Sequence, residues 1–254
     1  MFVLTIIEIG PILGGIGFLE KEPPRFECLY DSDGEWHPCL KDDICDQHMP
    51  RDHWRPVKED EEYIDNWVEK WDMLCEPKFK IGLLGALAFF GVLISTAFIP
   101  VLSDKIGRKL IYVITLGLSV LIQLWFILST SIYEAYVCFF LLGLTAAGRM
   151  IVGLSYVLEL NIVKIHDKII FCLLLAETGS IILLTLWYEF VDRSWFLIQF
   201  ICLIIGIIVF LYFLIFVPES TKWQYTWEQY DQARASLVMI AKWNGNGQKK
   251  LDHI

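Results

Sequence analysis

Ionisable side chains are scarce in the apolar stretches of this 254-residue chain, and three of them stand alone there: Glu8, Arg149 and Glu177. A charge in such surroundings costs a few kcal/mol unless it meets a counter-charge, a water-filled cavity or a proton. These three residues are therefore expected to face a bundle interior or a water-filled cavity, with Glu177 suited to attracting a cation. A static ion pair that fixes helix packing is the competing reading for Glu8 and Arg149. A second group lies in Pro100–Lys109, where Asp104, Lys105, Gly107, Arg108 and Lys109 place three cations and one carboxylate beside the ends of two apolar runs. That set can either lock helix ends together through ion pairs or serve as a cationic anchor around a glycine turn. Four cysteines, Cys28, Cys39, Cys45 and Cys75, share one acidic segment at spacings of eleven, six and thirty residues. Two disulfides, with three possible connectivities, are the favoured reading. Zinc is the rival, weakened by the lack of a Cys-x-x-Cys pair, and free thiols are the third alternative. No nucleophile–base pattern, phosphate loop or His-Glu-x-x-His stretch occurs. Enzymatic chemistry and ATP hydrolysis are thus unsupported, and no cofactor is implied. His37, His48, His53 and His166 fall in loops without the i, i+4 pairing of metal ligands.

The elements that must hold these residues are membrane helices. The chain is 56% hydrophobic with a mean hydropathy of +0.51, and its apolar residues come in blocks of about twenty. Lipid offers no partner to backbone N–H and C=O groups, so helix is the expected form. Period-two alternation, the mark of a membrane barrel, is missing. Six spans are expected: Met1–Leu19 with Glu8, Ile81–Ser103, Leu110–Tyr133, about Ala135–Leu158 with Arg149, Ile169–Tyr188 with Glu177, and the uncharged Ser194–Val217. The fold class is all-α, a polytopic six-helix bundle: helix 1 over 1–19, a Cys-containing loop over 20–78, helices 2–6 over 79–217, and a cytosolic amphipathic helix with linker over 218–254. Residues 1–19 do not read as a cleaved signal peptide, because they lack a basic start and a small-residue cleavage site. Gly82, Gly85 and Gly91 suit close helix approach. Tyr133, Tyr136, Trp187, Tyr188 and Trp195 suit an aromatic belt at the loop side.

Charge sets the orientation. The net charge of -9 is concentrated in Glu20–Lys78, which holds eighteen acids against eight Lys and Arg, a net of -10. The remainder is near neutral and has no basic face for phosphates, so nucleic acid is not a partner. Lys105, Arg108, Lys109, Lys164 and Lys168 mark the short loops after spans 2 and 4 as cytosolic, and the termini share that side. The acidic loop then faces the oxidising side, which suits disulfides.

At this point three motifs resemble the major facilitator superfamily, and within it the organic cation transporter and sugar porter branches. Ser103-Asp-Lys-Ile-Gly-Arg-Lys109 resembles the signature of the loop between helices 2 and 3, departing from it at Pro100, where the family usually has glycine. Gly148-Arg-Met-Ile-Val-Gly153 resembles the helix 4 pattern, with Glu159 at that helix's cytosolic end. Pro218-Glu219-Ser220 resembles the signature after helix 6. The long cysteine-bearing loop fits the organic cation branch.

The resemblance implies a secondary transporter, or half of one, that moves a small organic solute such as an organic cation or sugar by alternating access. It implies that Arg108 pairs with Glu159, that Asp104 accepts from the N-terminus of a neighbouring helix, and that the motif residues form a cytosolic gate lock. It also implies a Glu8–Arg149 pair that a coupling proton would open. The family has twelve helices, so a second six-helix half is expected from a continuation of this chain, a second copy or another protein. Plasma membrane is the expected location, with organellar membranes as the alternative. The competing function is a non-transporting membrane scaffold or subunit that keeps the half-fold.

Overall fold

The computed structural model describes residues 4, 12, 14–30, 34–46, 48–60 and 62–243. Of the expected first span only its last turn, α1 (Ile16–Leu19), is described as an element; Glu8 lies outside the described residues. The other five spans are present as helices long and apolar enough to cross a bilayer. They are α4 (Lys78–Ile106), α5 (Arg108–Leu128), α6 with its continuation α7 (Ile132–Ala147 and Gly153–Leu160), α8 (His166–Phe190) and α9 (Trp195–Ile215). The protein is a multi-pass integral membrane protein. Two short helices follow α9: α10 (Thr221–Thr226) and α11 (Tyr230–Trp243).

The span boundaries differ from the sequence expectation in an instructive way. Pro100–Lys109 was expected as a connector, yet α4 runs through Pro100 to Ile106 and α5 begins at Arg108. The break is one residue, Gly107, at φ 128°, a conformation that side-chain-bearing residues rarely adopt. Proline removes one backbone hydrogen bond from a helix, but membrane helices tolerate it where side chains satisfy the freed groups. The carbonyl freed here is that of Thr96; the Ser103 hydroxyl, one turn on, donates to the carbonyl of Pro100 itself at 2.7 Å. At 29 residues α4 is about 44 Å long, so its last turn reaches the membrane surface on the side that the Lys and Arg distribution predicts to be cytosolic; the two ends are named cytosolic and outer by that expectation.

Helices α4 and α6 cross with their backbones almost touching. A Cβ built on Gly91 would lie 2.3 Å from the Phe140 oxygen, and one on Gly143 would lie 2.1 Å from the Ala88 oxygen. The Ser95 hydroxyl reaches the Gly143 carbonyl at 3.2 Å across the same crossing. Of the three glycines singled out for close approach, Gly91 makes it, Gly85 touches only Ile16, and Gly82 faces open space. Between α6 and α7 the helix widens into a π-turn over Gly148–Val152. Thr115 of α5 presses on this turn, 2.4 Å from where a Cβ on Gly148 would sit.

The all-α expectation describes the membrane body, but the loop before α4 adds a small sheet. Strands β1 (Phe26–Leu29), β2 (Trp36–Cys39) and β3 (Trp54–Pro56) pair antiparallel in the order β2-β1-β3. Helices α2 (Lys41–Asp46) and α3 (Trp67–Lys70) complete it. Disulfides join Cys28 to Cys39 and Cys45 to Cys75, which selects one of the three connectivities. The first bridge ties β1 to β2. The second ties α2 to the residues just before α4, closing a loop of thirty residues against chain entropy.

Among the described residues the buried side chains form two clusters. The cytosolic one contains Tyr112, Leu116, Tyr156, Val209 and Phe213. The outer one joins Leu84, Phe126, Phe139 and Trp195 of the membrane helices to Trp54, Trp67 and Met73 of the loop. The loop therefore shares a core with the bundle.

Candidate functional site

The motif residues converge at the cytosolic ends of α4, α5, α7 and α10. Asp104 and Arg108 lie one helical turn apart, across the Gly107 break, and form an ion pair at 2.6 Å. The other arm of the same guanidinium lies 3.4 Å from Glu159 Oε1, and Arg108 Nη1 also donates to Ser103 Oγ at 2.8 Å. Arg108 and Glu159 are both largely shielded, with side-chain exposures of 17% and 15%, so solvent weakens their attraction less than it would on an open surface.

Glu159 also accepts from the Ser220 hydroxyl at 2.6 Å. Ser220 caps α10, accepting from the Trp223 N–H at 3.1 Å. The Tyr156 hydroxyl donates to the Pro218 carbonyl. These contacts fold the segment after α9 back onto α7.

Asp104 was expected to accept from the N-terminus of a neighbouring helix. The structure gives that role to Glu219, whose Oε1 accepts from the Lys109 N–H at 2.8 Å in the first turn of α5. A carboxylate there meets the partial positive end of the helix. Asp104 turns instead to Arg108, four residues on and just across the break. Glycine at 107 leaves room for Glu219: a Cβ would stand 2.7 Å from its Oε2. Lys105 is exposed in the last turn of α4.

The intramembrane ionisable residues separate. Arg149 is 4% exposed and sits on the π-turn, a helix defect common at functional positions. Glu177 is exposed on α8 and lines a 300 Å³ cavity with Met150, Ile151, Leu154 and Ser155 of the facing helix. Arg149 is not among the lining residues, so this cavity borders the π-turn without reaching its charge. The Glu8–Arg149 pairing falls outside the described residues.

Sequence reasoning missed Trp223 and Trp227, whose indole N–H groups both donate to the Asp104 carbonyl, at 2.8 and 3.1 Å. Their i, i+4 spacing after Pro218-Glu219-Ser220 was the available signal. It also missed the docking of the loop onto the bundle. Asn66 caps α3 and donates to the Lys21 carbonyl at 2.6 Å. Asp65 exchanges backbone hydrogen bonds with the turn between α8 and α9, at 3.0 and 3.2 Å. Trp67 is fully buried, edge-on to Phe126 and Phe139. Tyr188 and Trp195, expected in a lipid belt, are buried beneath the loop instead, whereas Tyr133 is 70% exposed.

A family model described as "Sugar (and other) transporter" matches residues 47–253. Solute carrier family 22 member 16 of Homo sapiens is 25% identical over 85% of this chain and 35% of its own length. Organic cation/carnitine transporter 2 of Homo sapiens is 27% identical over 72% of this chain and 33% of its own. Solute carrier family 22 member 15-like of Xenopus laevis is 30% identical over 70% of this chain and 36% of its own. The chain spans about a third of the length of these relatives.

Proposed function

Because the chain belongs to the sugar (and other) transporter family, within the major facilitator superfamily, we propose that it forms one six-helix half of a secondary transporter for a small organic solute. The observation that carries this reading is the cytosolic network of Asp104, Arg108, Glu159, Glu219 and Ser220, which joins four helix ends through breakable polar contacts. Such a network acts as a lock in the inward-closed state: its bonds have defined partners, and water can replace them when the helices separate. Organic cations are the favoured solute, since the relatives include a protein named for organic cation and carnitine transport, and Glu177 offers a carboxylate to a cation. A hexose is the alternative solute. A proton that opens the Glu8–Arg149 pair is the candidate coupling ion, and the plasma membrane is the candidate location.

The exposed helices suggest where a second half would sit. In the 18-residue apolar stretch of each span, 17% is buried for α8 and 28% for α4, against 56% for α5. Glu177 projects from the barest of these helices, where contact with lipid would cost a few kcal/mol. A polar cavity shared with a second half relieves that cost.

The test is uptake into proteoliposomes, using labelled quaternary ammonium ions and hexoses, with the chain reconstituted as a strict monomer and as a paired assembly. Uptake is expected only in the paired assembly, with one solute class favoured, and Arg108→Ala is expected to reduce it. Uptake by the monomer overturns the pairing. Absence of uptake in every pairing, with the fold intact, replaces the reading with a scaffold role.

A further inference from the structure

At the outer end of the bundle a cation is held in a receptor built from several elements. Lys70, the last residue of α3, places its Nζ 4.4 Å from the ring centre of Trp195, 5.1 Å from Trp71 and 5.7 Å from Phe126. The same ammonium lies 3.3 Å from the Ile127 carbonyl and 3.5 Å from the Phe126 carbonyl, in the last turn of α5. Ring faces and the negative end of a helix both attract a cation. Glu134 at the start of α6 adds to the negative potential, and burial pushes the Lys70 amine below the ordinary lysine range.

This arrangement differs from an ordinary surface lysine in two respects. Its walls are rigid: Phe126 is fully buried, Trp195 is 6% exposed, and Phe126 is clamped edge-on by Trp67 and Phe139. Its occupant is tethered, because Lys70 arrives on a four-residue helix of the loop, whereas Phe126 and Trp195 belong to membrane helices. A cage with two walls on the bundle, Phe126 and Trp195, and a third, Trp71, on the loop, filled by a side chain from the loop, has the form of a ligand site with the ligand supplied in cis.

We propose that the outer ends of α5 and α9, with Trp71, form a site for a small alkylammonium ion, which Lys70 occupies as a built-in ligand that holds the loop closed over the bundle. The site lies at the opposite membrane face from the Arg108–Glu159 network and needs no transport step. A free ammonium ion competes with Lys70, and removing the side chain empties the cage.

The experiment measures thermal melting of the whole chain in detergent, with Lys70→Ala and Lys70→Met compared to the parent. Propylammonium replaces the group that Lys70→Ala removes. At saturation it is expected to raise the melting temperature of that variant by about 3 °C or more. Propanol and sodium chloride at matched concentration are expected not to do so, and the parent should respond weakly. Lys70→Met fills the cage with an uncharged chain of similar length and should not be rescued. Equal action of propylammonium on Lys70→Ala and the parent, or equal rescue by propanol, overturns the proposal. A second measurement needs no variant. Acetylation of Lys70 in the unmodified protein, followed by peptide mass spectrometry, should accelerate when tetramethylammonium replaces sodium at equal ionic strength, while acetylation of exposed Lys58 stays constant. No acceleration at Lys70 also overturns it.

Discussion

The two ends of the bundle are held by different physics. At the cytosolic end, α4, α5, α7 and α10 meet through single polar contacts between 2.6 and 3.4 Å, each to a named partner. At the outer end the loop and the helices share a continuous aromatic core around Trp67, and two disulfides brace the loop itself. Polar contacts are individually worth about 0.5–3 kcal/mol net and re-form with water when broken. A fully buried indole has no such substitute, since exposing it forfeits both its packing and its removal from water. The end that carries the motif residues can thus separate contact by contact, whereas the acidic loop can leave the bundle only by breaking a shared core.

The sharpest way to break that contrast is Trp67→Ala. It should cost about 3–5 kcal/mol, seen as a large drop in melting temperature and faster proteolysis of the acidic loop. If the melting temperature stays put, the shared outer core is not what holds the loop. Next in size is Gly143→Ala, which drives a methyl into the Ala88 carbonyl at 2.1 Å and should cost about 1–3 kcal/mol by forcing α4 from α6. Gly82→Ala faces open space and serves as the neutral control. At the cytosolic end, Glu159→Gln removes the charge facing Arg108 and should cost about 1–2 kcal/mol. Its signature is local: faster tryptic cleavage after Lys222 with both disulfides intact. A global loss of structure from this change would mean that the two ends are not mechanically distinct.

The smallest expected effect is a pH dependence. Burial raises the Glu20 carboxyl to about 7 from 4.5, so the folded state takes up a proton that the unfolded chain releases. The stability this provides is complete below about pH 4.5 and is lost as pH rises through about 7. Glu20 is only half-buried, so solvent screening keeps the change modest. Melting temperature should fall slightly between pH 5 and 8, and Glu20→Gln should flatten that slope. A steeper slope in the variant would assign the titration to another group.

Much of the layout was legible because membrane spans are local features: twenty apolar residues identify themselves without reference to any other segment. Spans 2 to 6 appear as helices in the order expected. The errors fell at ends and turns. The Pro100–Lys109 connector shrank to Gly107, because the charges of Asp104 and Lys105 look like a loop in sequence but sit on the surface-exposed last turn of a long helix. The three strands were not expected, since four-residue stretches such as Trp36-His-Pro-Cys39 carry almost no periodicity of their own. The π-turn at Arg149 had no signal in the chain either; it lies where Thr115 of another helix packs close against Gly148.

Hydrophobic length, the distribution of Lys and Arg and the placement of cysteines are properties of the chain read in order. They set the helical membrane body, the orientation expected of it and the capacity of the loop for disulfides. Which carboxylate meets which cation was decided only by folding. Glu219 rather than Asp104 took the start of α5, and Lys70 found Phe126 and Trp195, because those partners lie tens of residues apart and become neighbours only once the helices have packed.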